Sequence, residues 1–148
     1  QNKDTARFHL TRVFTDEKEM SSLKSFENSQ SMKLFDSELR VMKLLWKHGE
    51  LTAKRIAELL ADEVGWNVNT SYTVIKKCIA KGAIERSEPN FVCRALVGER
   101  ETQDSAAAEL IDKLYDGAAD KLVAGLIDSK RLTPDEIERL KRLVEELE

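Results

Sequence analysis

The chain has 148 residues, enough for one or two small domains, with 41% hydrophobic residues, 34% charged residues and a formal net charge of −3. No apolar run reaches the roughly 18 residues of a membrane span, and the first residues carry neither a secretory apolar core nor an arginine-rich amphipathic pattern, so a cytoplasmic protein with no membrane insertion is expected. The two cysteines, Cys78 and Cys93, fall in segments that read as a helix and a strand, where buried free thiols are expected rather than a disulfide.

Residues 1–31 are polar, with a cluster of serines and a single small apolar group at Phe8, Leu10, Val13 and Phe14. They read as a disordered or non-native leader, with Met32 a natural initiator; the other reading is an amphipathic segment that docks on the body or a partner chain. From Asp36 the pattern turns helical. Leu39, Met42, Leu45 and Trp46 make one apolar face, Asp36 or Ser37 is the expected cap, and His48-Gly49 closes the helix. A second helix opens at Leu51-Thr52-Ala53 with Thr52 as N-cap, buries Ile56, Ala57, Leu59 and Leu60, and ends at Gly65.

Asn67 is the expected cap of a third helix, whose inward positions are Ser71, Val74, Ile75 and Cys78. Its outward face holds Asn69, Thr70, Thr73, Lys76, Lys77 and Ala80, with Tyr72 at the edge. Lys81-Gly82 stops this helix, and Ala83–Ser87 and Phe91–Leu96 read as two strands joined by a tight Glu88-Pro89-Asn90 turn. Helix, glycine stop and short hairpin give the layout of a winged helix-turn-helix. In that layout hydroxyl, amide and ammonium groups on the third helix reach base edges and phosphates in a major groove.

Beyond Leu96 the chain becomes acidic and rich in alanine, and three more helices fit, near Glu101–Asp116, Ala118–Ser129 and Pro134–Leu147. The last opens on Thr133-Pro134-Asp135-Glu136, with threonine as N-cap, proline at the first helical position and a capping box closed by Glu136. Leu110 and Leu114 (with Ile111 and Tyr115), Leu122 and Leu126 (with Val123 and Ile127), and Ile137, Leu140, Val144 and Leu147 form apolar stripes. A three-helix segment of about 50 residues buries too little alone, so these stripes are expected to form a homodimer interface. The fold class is therefore mainly α: a leader over 1–31, a winged-helix DNA-binding domain over 32–97 and a three-helix dimerisation domain over 98–148.

The charge follows the same division. Residues 32–97 hold eleven Lys and Arg against eight Asp and Glu, whereas 98–148 hold eight against fourteen, as for a mildly basic binding module joined to an acidic one. His9 and His48 have no cysteine or carboxylate cluster at ligand spacing, so no metal and no cofactor are expected. The many carboxylates lie on solvated faces rather than as one buried and one exposed member of a catalytic pair, and no catalytic residue is assigned. Trp46 and Trp66 read as packing residues.

Glu38–Trp46, Leu51–Ala57, Trp66–Thr70 and Lys81–Ile84, together with Tyr115-Asp116-Gly117 and Thr133–Glu136 in the acidic tail, form an ordered set that resembles the penicillinase-repressor family. The resemblance covers residues 33–148. It implies a dimeric repressor on an inverted-repeat operator, with half-sites of the TACA/TGTA kind, whose third helix enters the major groove. Under it, Asn69, Thr70, Tyr72, Thr73 and Lys76 face bases or adjacent phosphates and Lys77 a phosphate. It also implies release by proteolysis in the tail, tied to a membrane sensor-protease, or by a partner-borne signal. The chain has no Cys-x-Cys pair for copper sensing, and Glu109-Leu110 stands where protease-controlled relatives carry an asparagine–aromatic pair. Arg86 and Asn90, flanking the hairpin turn, are candidate backbone or minor-groove contacts, and Lys54 is the candidate phosphate contact at the start of the second helix. A winged-helix adapter that uses the same surface for protein contacts is the alternative reading; an apolar rather than lysine-bearing third helix would favour it.

Overall fold

The computed structural model describes residues 32–147; the expectations for the leader over 1–31 lie outside them. The described chain runs α1 (Asp36–His48), β1 (Leu51–Thr52), α2 (Ala53–Val64), α3 (Val68–Lys81), β2 (Ile84–Ser87), β3 (Val92–Ala95), α4 (Glu99–Leu114), α5 (Ala119–Asp128) and α6 (Pro134–Glu145). It divides into two compact units, one ending at Ser105 and the other starting at Ala106.

In the first unit the helix limits follow local chemistry. The Thr52 hydroxyl accepts from Arg55 N–H at 3.1 Å and the Asn67 side-chain Oδ1 from Thr70 N–H at 2.8 Å, each satisfying an amide that a helix start leaves unpaired. Gly65 and Gly82 end α2 and α3 at φ of 71° and 84°, the left-handed conformation that glycine adopts without a Cβ clash. The start of α1 differs from expectation. Its N-cap is Phe35, not Asp36 or Ser37, and the Glu38 carboxylate reaches back to accept from Phe35 N–H at 2.8 Å.

Leu51 and Thr52 form a short strand rather than the first turn of α2, and complete an antiparallel sheet of order β1-β3-β2. Leu51 pairs with Cys93 and Thr52 with Val92 on one side of β3, while Ile84 pairs with Ala95 and Ser87 with Val92 on the other. Each of the two hairpin strands is shorter than its predicted span, because Ala83, Phe91 and Leu96 fall outside the ladder.

The core gathers Val41, Met42, Leu44 and Leu45 from α1, Ala53, Ile56 and Leu60 from α2, Val74, Ile75 and Cys78 from α3, and Ile84, Cys93 and Val97 around the sheet. Helix α1 packs against both α3 and β3, so its buried arc takes in Val41 and Leu44 beyond the predicted stripe, and Leu39 and Trp46 lie at its half-buried margin. The Trp46 indole donates from Nε1 to the Val97 carbonyl at 2.9 Å, which fixes the chain as it leaves the sheet. Both cysteines are free and buried. Burial raises the Cys78 thiol to about 12 and the Cys93 thiol to about 11, so both stay protonated and act as small apolar side chains.

One buried charge stands inside this core. Glu38 is 1% exposed, and its carboxylate lies 2.6 Å from Lys81 Nζ at the end of α3. The same ammonium donates to the Lys33 carbonyl at 2.7 Å and sits 4.1 Å from the centre of the Phe35 ring. Four groups thus tie the approach to α1 onto the last turn of α3, where a cation also complements the helix dipole.

The second unit has a different character. Asp116 and Gly117, at φ of 51° and 84°, end α4 with Gly117 N–H donating to the Ile111 carbonyl. The predicted capping box at α6 is present: Glu136 N–H donates to the Thr133 hydroxyl at 3.1 Å, and Thr133 N–H to the Glu136 carboxylate at 2.8 Å. Hydrogen bonding to the Glu136 carboxyl, first from the Thr133 backbone N–H and then from the Thr133 side chain, holds it below the usual carboxylate range. No residue of α4, α5 or α6 is buried.

Removing the ammonium that faces Glu38 strands a buried carboxylate, so Lys81→Met is expected to lower stability by roughly 3 kcal/mol in urea unfolding. The double variant Lys81→Met with Glu38→Gln should recover part of that loss, since no unpaired charge is left in the core.

Candidate nucleic-acid interface

The interface is built on α3. Ser71, Val74, Ile75 and Cys78 recur at helical spacing and are all buried, which rotates the opposite side of the helix to the surface. Asn69, Thr70, Thr73, Lys76, Lys77 and Ala80 are exposed there, as the periodicity predicts. The face therefore offers an amide, two hydroxyls and two ammonium groups over about three helical turns. Such groups can donate to base-edge acceptors and to phosphate oxygens, and the threonine methyls can meet a thymine methyl. The Ser71 hydroxyl on the inner side has no hydrogen-bond partner among the described residues.

Charge pairing separates the cations of the first unit into two groups. Lys81 pairs with Glu38, Arg86 with Glu88, Arg94 with Glu85 and Arg55 with Glu58. Lys76, Lys77 and Lys54, like Arg40, Lys43 and Lys47 of α1, are exposed and have no carboxylate partner among the described residues. An unpaired surface ammonium keeps its full field for an external anion, and the two on α3 stand beside the groups suited to reading bases. Lys54 lies in the first turn of α2, at the end of the helix where amide dipoles also favour an anion.

The wing brings two more of the predicted residues to the surface and ties one of them to α3. Arg86 ends up over the Phe91 ring, with its guanidinium carbon 3.6 Å from the ring centre, while its Nε donates to Glu88 at 2.6 Å. This bond keeps the Glu88 carboxyl below the usual carboxylate range. Phe91 also meets Tyr72 edge to face, with ring centres 5.8 Å apart. Asn90 is exposed in the turn at φ 74°, a conformation that asparagine tolerates better than most residues. Tyr72 is thus half-buried and engaged at the margin of the face rather than fully displayed. Sequence reasoning assigned Glu88 only to a turn and Phe91 only to a strand; a carboxylate two residues after an arginine was the one local signal.

In the tail, Leu110, Leu114, Leu140, Val144 and Leu147 are exposed, and Leu122, Leu126 and Ile137 are half-buried. Leu143, which the predicted 3-4-3 stripe omits, is 59% exposed beside them. Among the described residues there is no group of three or more His, Cys, Asp or Glu side chains able to hold a metal ion, and no helix long and apolar enough to cross a membrane.

The penicillinase repressor of Bacillus licheniformis is 26% identical over 113 residues, covering 75% of this chain and 88% of that protein. The methicillin resistance regulatory protein MecI of Staphylococcus aureus is 27% identical over 119 residues, covering 79% of this chain and 97% of that protein. The solution structure of the DNA binding domain of the repressor BlaI covers 47% of this chain and 87% of its own, at 28% identity and a TM-score of 0.44. The family model described as penicillinase repressor matches residues 34–146, well over half of the chain, and the protein therefore belongs to the penicillinase repressor family.

Proposed function

We propose that this protein is a sequence-specific DNA-binding transcriptional repressor, not an enzyme, that acts in the cytoplasm as a homodimer on an inverted-repeat operator. The observation that carries the reading is the exposed face of α3, where Lys76 and Lys77 lack carboxylate partners beside Asn69, Thr70 and Thr73. Membership of a family described as penicillinase repressor supports the same reading. In this account Asn69, Thr70, Tyr72 and Thr73 discriminate bases, and Lys76, Lys77, Lys54, Arg86 and Asn90 contact the backbone. Base contacts specify and phosphate contacts position.

Dimerisation is inferred from the tail. Eight large apolar side chains of α4, α5, α6 and the residues after them are exposed: Leu110, Leu114, Val123, Ile127, Leu140, Leu143, Val144 and Leu147. Single exposed apolar residues are ordinary, but a module that leaves so many of its large apolar side chains open to water and buries none favours association with another copy. A two-fold dimer would offer two reading helices to half-sites about one helical turn apart. Release through tail proteolysis, or through a membrane sensor-protease, belongs to the same proposal and rests on the family resemblance.

The reading is tested by binding a duplex from the chain's own upstream region at several salt concentrations. Wild-type protein should bind with a steep salt dependence. Lys76→Ala with Lys77→Ala should weaken binding to all duplexes and flatten the slope of log affinity against log salt by about 0.9 per lost contact; an unchanged slope removes both lysines from the interface. A fragment ending at Ser105 is expected to stay folded, to sediment as a monomer and to bind the operator poorly. A fragment that still dimerises contradicts the role given to the tail.

A further inference from the structure

Phe91 occupies an unusual place in the wing. It is half-buried, follows directly on the turn, and touches both halves of the proposed reading surface. On one side it meets Tyr72 of α3 edge to face, with ring planes at 81°. On the other, the Arg86 guanidinium lies against its face at 3.6 Å. The backbone holds the ring there in two ways: the Phe91 carbonyl accepts from Ala53 N–H at 2.9 Å, and Phe91 N–H donates to Glu88 Oε2 at 3.3 Å. The Glu88 carboxylate also takes Arg86 Nε, while the Arg86 Nη groups have no protein partner among the described residues.

The physical consequence is a guanidinium with little freedom left. An exposed arginine ordinarily gives up considerable rotamer entropy when it binds a phosphate. Here the stacking on a ring and the hydrogen bond to Glu88 have already restricted it in the free protein, and its terminal nitrogens stay available. Because the same ring braces Tyr72, the place of the arginine is set relative to α3 rather than to the wing alone.

We propose that Phe91 is a positioning residue for DNA recognition: braced by Tyr72, its ring holds the Arg86 guanidinium in place to bind a backbone phosphate, so that wing and reading helix meet the duplex as one surface. The proposal rests on the DNA-binding reading above and assigns to Phe91 a role that acts through Arg86.

The test measures affinity and salt slope for Arg86→Ala, Phe91→Leu, Phe91→Tyr and the double variant Phe91→Leu with Arg86→Ala, each first checked for a wild-type thermal melt. Arg86→Ala and Phe91→Leu should each flatten the salt slope by about 0.9, the value of one phosphate contact. The double variant should be no worse than either single, and Phe91→Tyr, which keeps the ring, should bind like wild type. A Phe91→Leu protein that loses affinity but keeps the wild-type slope, or losses that add in the double variant, would show a merely structural role and overturn the proposal. A second measurement needs no variant. The Arg86 Nε–H resonance of wild-type protein should carry the ring-current shift of Phe91 both free and bound to duplex, and disappearance of that shift on binding also overturns it. Failure of the DNA-binding reading is separately visible, since wild-type protein would then show no salt-dependent binding at all.

Discussion

The whole arrangement depends on α3 having two incompatible sides. Ser71, Val74, Ile75 and Cys78 are buried against α1, α2 and the start of the sheet, and the burial of such a stripe is the main force that sets a helix's rotation. A turn of the helix by one residue, about 100°, would bury an ammonium and expose the core. The polar face therefore needs no stabilising contact of its own to be displayed, and Asn69, Thr70, Thr73, Lys76 and Lys77 are left without local duties. A surface free of structural tasks can be spent on recognition.

The ends of α3 are fixed by a separate set of contacts. Asn67 caps its first turn, and Lys81 in its last turn is held by the Glu38 carboxylate, the Lys33 carbonyl and the Phe35 ring. A buried ion pair is weak evidence of net stability, because desolvation opposes the attraction, but it allows only one place for its partner. Here that specificity falls on the helix that carries the candidate interface. Four arginines of the unit pair with neighbouring carboxylates, Arg94 with Glu85 across the hairpin, Arg55 with Glu58 within α2, Arg100 with Asp104 in α4 and Arg86, through Nε alone, with Glu88 in the wing. Arg40, Lys43 and Lys47 of α1 also lack a carboxylate partner among the described residues, so what sets the α3 lysines apart is their place beside Asn69, Thr70 and Thr73.

Much of this was legible in the chain. The caps Thr52, Asn67 and Thr133, the glycine stops and the inner positions of α3 follow from local rules that act within one helical turn, and those rules hold here. What was not legible depends on partners distant in sequence. Phe35 serves as an N-cap only because Glu38, three residues on, is buried and neutralised by Lys81. Val41 and Leu44 are buried because α1 is covered from two sides, which a single stripe does not reveal. A two-residue strand such as Leu51–Thr52 has no period to read, and Phe91 acquires its place only when Tyr72 and Arg86 arrive beside it. The tail was legible as three amphipathic helices, but Leu143 escaped because the 3-4-3 spacing runs past it.

The central claim is that the outward side of α3 and the adjoining wing are the surface that meets DNA. Backbone hydrogen exchange of the full chain, with and without operator duplex, tests it most directly. Added protection should concentrate in residues 67–81 and 86–91 of the first unit. If protection appears instead over α1 and the outer face of α2, with α3 unchanged, the duplex is held elsewhere and the account is wrong.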